Sequence, residues 1–164
     1  EYDLCAGEEY TKALPEGFNY AGIISHAGSV VIPGDKIDWA KKPCPMLLMH
    51  GDKDQAVGFE LNLLSGLVFA GSNHIHEQLV EMDSPHWLYE EKGADHIVAL
   101  SPLQHNFHEI DTFLEKFVMA SKHAIVHTEW TDEEPGSMAK MAEIVPLYIF
   151  GWGKTDEEME SEEK

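Results

Sequence analysis

The chain holds 164 residues, 43% of them hydrophobic, which is the length of one domain with enough apolar side chain for a core. Its 11 basic residues are all lysine and face 30 acids, and the formal net charge of −19 argues against nucleic acid and anionic lipid as partners. Cys5 and Cys44 are too few for a disulfide framework, and no apolar run reaches the roughly 20 residues needed to cross a bilayer.

Residues 1–14 place Tyr2, Leu4, Cys5, Tyr10 and Leu14 among acids and lysines, the pattern of the later part of an amphipathic helix stopped by Pro15 and Gly17. The first residue is Glu1 and the start of that helix is not in view, so the chain is expected to begin inside a fold. Residues 1–20 lack the basic-then-apolar layout of a signal peptide. Tyr20-Ala21-Gly22-Ile23-Ile24-Ser25 predicts a buried strand, and residues 33–43 are loop punctuation. Pro45-Met46-Leu47-Leu48-Met49-His50-Gly51-Asp52-Lys53-Asp54 then reads as a second buried strand that delivers Asp54 beyond its carboxyl end. Open α/β sheets place their chemistry at that edge.

Between Gly58 and Gly71 the apolar run predicts either a buried helix or a lid-like covering segment, and periodicity does not choose. Residues 72–81 carry a serine at a capping position and turn Ile75 and Leu79, with Met82, inward, predicting a helix that crosses over to a strand at 86–90. Gly93-Ala94-Asp95-His96 follows as a turn. Phe107, Ile110, Phe113, Leu114, Phe117 and Val118 stand at three-and-four spacing, predicting an amphipathic helix over 104–121 that closes the sheet's edge. Alternation is brief at 124–130, residues 144–152 form an apolar patch without a clear place, and residues 153–164 read as an acidic, disordered tail.

Three blocks in order resemble the carboxyl-terminal part of an α/β-hydrolase of the bacterial carboxylesterase and lipase kind. Residues 14–25 are similar to the strand after the nucleophile helix, His50-Gly51-Asp52-Lys53-Asp54-Gln55-Ala56-Val57 to the H-G-x-x-D-x-x-V acid loop, and Gly93-Ala94-Asp95-His96 to the histidine turn. The resemblance implies an α/β fold in three layers, of which residues 1–152 supply the carboxyl-terminal part of a mostly parallel sheet with flanking helices. It implies a serine carboxylic-ester hydrolase with Asp54 as the acid and His96 as the general base, no cofactor, and a small-molecule ester as the substrate, with the kind of ester left open. Asp52 is the competing acid, read as a turn former, and Asp95 is read as shaping the turn. The resemblance to extracytoplasmic esterases also implies secretion or a periplasmic location.

The family's G-x-S-x-G elbow would lie upstream of residue 1. Ser25 and Ser29 do not replace it, because Ile23 and Val31 stand where the elbow's tight turn needs small residues. The chain is therefore expected to pair with an amino-terminal half of the same fold or with itself, and to be inactive alone. The rival expectation is a non-catalytic module that keeps the hydrolase frame for binding. Ten histidines raise a metal alternative through His74 and His76 or His105 and His108, but no H-E-x-x-H motif is present, and solvated surface histidines account for both pairs.

Overall fold

The computed structural model describes residues 18, 20–37, 39, 43–64, 66–96, 98–99 and 106–131. The readings for residues 1–14, 144–152 and 153–164 lie outside the described residues.

The centre is strand β3, Met46–Gly51, in which all six residues are buried. An unbroken apolar run of this kind belongs in a parallel sheet covered on both faces. β1 (Ile23–His26) pairs with β3 in parallel, β6 (His86–Lys92) pairs with its other side, and β7 (Ile125–Thr131) adds to β6, giving a parallel sheet in the order β1-β3-β6-β7. A second, antiparallel sheet of three strands combines β2 (Val30–Ile32), β5 (Leu67–Ala70) and β4 (Leu61–Leu64) in the order β2-β5-β4. The architecture is α/β.

Alternation along the strands sends side chains into two cores. Met46, Leu48 and Leu88 meet Ile75 and Leu79 of helix α1 (Ser72–Glu81), together with Ile32, Phe59 and Ala70. Leu47, Met49 and Tyr89 meet Phe113 of helix α2 (Phe107–Phe113) and Phe117 of the π-helical stretch that continues it, Leu114–Met119. Leu47, Leu48, Met49, Leu79 and Leu88 are each at most 1% exposed. Burial of each stabilises the fold by about 1.5–3 kcal/mol.

The strands expected around residues 20–25, 45–50 and 86–90 and the helix over 72–81 are present. Three expectations change. The apolar run after Gly58 is neither a helix nor a lid but the β4–β5 hairpin, which turns at Gly66 with φ +82° and leaves Leu61, Leu63 and Leu67 exposed. The helix after residue 106 lies on a face of the sheet and not at its edge, which β7 occupies. Its expected apolar stripe splits, with Phe113 and Phe117 buried while Phe107 is 60% exposed. Finally, Gly71 and not Ser72 stands at the N-cap of α1, and the Ser72 hydroxyl, in the first helical position, bonds His50.

Candidate functional site

Parallel pairing makes β3 and β6 leave the sheet at the same edge, in the register Met49↔Tyr89, His50↔Glu90, Gly51↔Glu91. The two loops beyond them are then stitched together by backbone. Asp52 N–H donates to the Glu91 carbonyl at 3.1 Å and Lys53 N–H to the Ala94 carbonyl at 2.9 Å. Asp52 Oδ1 accepts the Gly93 amide at 2.6 Å. Asp52 was expected to form its own turn through this oxygen, and instead spends it on the amide of the neighbouring loop. Gly51 is where the chains come closest: a Cβ there would stand 2.3 Å from the Ala94 carbonyl oxygen.

This stitching brings Asp54 and His96 together across 42 residues of sequence, with His96 Nδ1–H donating to Asp54 Oδ2 at 2.8 Å. The donor is fixed by chemistry, since an ionised carboxylate only accepts. Asp54 Oδ1 accepts the amides of Ala56 at 2.9 Å and Val57 at 2.8 Å, and the Asp54 side chain has no exposed surface. The His96 side chain keeps 26% of its surface exposed. With Nδ1 carrying the proton, Nε2 holds the lone pair, which is the tautomer a general base requires.

Sequence reasoning missed His50 and Ser72. His50, the last but one residue of β3, is fully buried. Its Nε2–H donates to the Val57 carbonyl at 2.9 Å and stands 3.2 Å from Asp54 Oδ2, while its Nδ1 accepts the Ser72 hydroxyl at 2.8 Å. Burial pushes the His50 pKa down, and the bonds to Val57 and Asp54 offset only part of that. The available signal was a polar residue inside a run that must be buried, because such a group needs partners.

Among the described residues, the candidate metal-binding histidines do not assemble. His74 Nε2 lies 2.7 Å from the Asp35 carbonyl oxygen, His108 is exposed, and His105 lies outside the described residues. His76 is not a solvated surface group: its Nδ1 is 2.7 Å from His86 Nε2, beneath α1. Glu90, His127 and Glu129 bring ligand atoms within 4.8 Å of one another. Lys92 Nζ already lies 2.6 Å from Glu90 Oε1 and 3.6 Å from Glu129 Oε1, so an internal cation occupies that place. Ser25 lies in β1, where its Oγ would be 2.5 Å from a Cβ on Gly28.

No family model, curated protein or solved structure matches the chain. Among the described residues, no helix is long and apolar enough to cross a membrane.

Proposed function

We propose that the chain supplies the acid and the general base of a serine-dependent carboxylic-ester hydrolase of the α/β-hydrolase kind, working through an acyl-enzyme. The observation that carries this reading is the 2.8 Å bond from His96 Nδ1–H to a fully buried Asp54 carboxylate, at the shared carboxyl edge of two parallel strands. His96 Nε2 would take the serine proton as the ester is attacked and return it to the leaving alcohol. Asp54 would hold the tautomer and stabilise the imidazolium. The nucleophile is assigned to a G-x-S-x-G elbow upstream of residue 1.

The test is ester turnover and fluorophosphonate labelling of a polypeptide that carries the upstream elbow together with this chain. Labelling of the elbow serine is expected, with kcat lowered on the order of 10³–10⁴-fold by His96→Ala or Asp54→Asn. Full turnover in His96→Ala would overturn the assignment. Absence of labelling would favour a non-catalytic binding module on the same frame.

A further inference from the structure

Asp54 Oδ2 receives two imidazoles, His96 at 2.8 Å and His50 at 3.2 Å. The second ring belongs to a sealed chain, Ser72 Oγ–H to His50 Nδ1 and His50 Nε2–H to the Val57 carbonyl, with Asp54 Oδ2 beside that nitrogen. A serine, a histidine and an aspartate in contact suggest a second triad, but two observations argue otherwise. Ser72 and His50 are both fully buried, so no substrate reaches the hydroxyl. The ring is also used in reverse, with serine on Nδ1 and carboxylate on Nε2.

We infer that His50 is a positioning residue for the Asp54 carboxylate, held in one tautomer by Ser72 and the Val57 carbonyl, and that it tunes how strongly Asp54 supports His96. The inference rests on the proposed pairing of Asp54 with His96. The physical argument has two parts. Oδ1 is fixed by the Ala56 and Val57 amides, and the Nε2–H edge of the His50 ring, 3.2 Å from Oδ2, holds the other side of the carboxylate plane from which His96 takes its orientation. The positive Nε2–H end of that ring also lowers the negative potential at Oδ2, so it weakens the stabilisation that Asp54 gives to a protonated His96.

Ser72 links this device to the fold. It opens α1, and the chain reaches it through Gly71, where a Cβ would stand 2.0 Å from the Gly58 carbonyl oxygen. The Asn73 amide donates to the Phe59 carbonyl at 2.9 Å, tying the start of α1 to the loop that follows Asp54. The position of the carboxylate is thus set from the helix on one side and from the His96 loop on the other.

The test is ¹⁵N and ¹H NMR of the histidine rings in the full chain at one fixed pH, alone and with two substitutions. In the unsubstituted protein His50 is expected as the Nε2–H tautomer; an Nδ1–H tautomer at His50 would overturn the inference without any variant having to fold. In His50→Leu, removal of the ring N–H is expected to move the Nδ1–H proton resonance of the His96 ring downfield, because an Asp54 carboxylate relieved of that neighbour accepts more strongly. His50→Gln keeps an N–H of similar reach and is expected to restore the original resonance. An unmoved resonance in a folded His50→Leu protein, or equal movement in both variants, would overturn the role. The readout needs no nucleophile, so an inactive protein that shows the expected shifts would count against the hydrolase reading while supporting His50.

Discussion

Two sets of histidines are built around the two fully buried rings of the sheet, His50 in β3 and His86 in β6. Beyond the end of β3, His50 and His96 converge on one carboxylate that also accepts two amides. At the start of β6, His76 Nδ1–H, from α1, donates to His86 Nε2 at 2.7 Å, and His86 Nδ1–H ends the chain on the Ser84 carbonyl at 2.7 Å. His127 stands beside them, its ring centroid 5.3 Å from that of His76, with Nε2–H donating to Glu90 at 2.8 Å. The first set is anchored by a formal charge at the exit of two strands. In the second, the His76–His86 chain is neutral, lies beneath a helix and terminates on backbone. A histidine acquires chemical potential less from being buried than from what sits on its other nitrogen and whether the remaining one reaches the surface.

The largest effect that tests this contrast is the loss of the anchor. Asp54→Ala strands three donors, the amides of Ala56 and Val57 and the ring of His96, removes the charge beside His50, and is expected to lower stability by about 3–5 kcal/mol in urea unfolding. A loss below about 1 kcal/mol would show that the carboxylate is not the organising centre.

The second set predicts a response to acid. Burial, then the neighbouring His86 and His127, push the His76 pKa down to about 4 from its ordinary 6.5. Between those values an unfolded chain binds a proton at this position and the folded one does not. Stability therefore falls as pH is lowered from 6.5, and the loss levels off below about 4. His76→Gln keeps a donor for His86 without titrating, so its thermal midpoint is expected to decline less over that range than that of the unsubstituted protein. Parallel curves for the two proteins would remove His76 from the acid response.

The smallest effect belongs to a pair outside both sets. His123 Nε2 lies 3.1 Å from Asp83 Oδ1, with the two side chains 52% and 80% exposed. His123→Ala is expected to change stability by less than about 0.5 kcal/mol, which separates buried from solvated histidine contacts in one protein.

The legible part of the molecule was the part with one dominant signal. β3 is apolar from Met46 to Met49, so its placement in a two-sided sheet follows from its sequence, and the Gly-Asp turn at its end put Asp54 at the carboxyl edge. α1 showed a helical period, and Ile75 and Leu79 are buried as that period requires. The β4–β5 hairpin was hidden because Leu61, Leu63 and Leu67 are exposed on a second sheet, so hydrophobicity there did not report burial. His50 and Ser72 stand 22 residues apart, and nothing local joins them. Their contact exists only because the crossover through α1 lays the helix start over the end of β3. Ser72 carried a competing local meaning as a cap, but Gly71 holds that position and the Ser72 hydroxyl bonds His50.

The close approach at Gly51 has a consequence for how this sequence can vary. Lys53, Gln55 and Ala56 surround the acid but are exposed, so the loop can exchange side chains there at little cost. Position 51 has no such freedom, because one added methyl group would collide with the Ala94 carbonyl and push the loops apart. The alignment of Asp54 with His96 is therefore most vulnerable to mutation at a residue that has no side chain and takes no part in chemistry. A search for inactivating substitutions confined to ionisable residues would miss it.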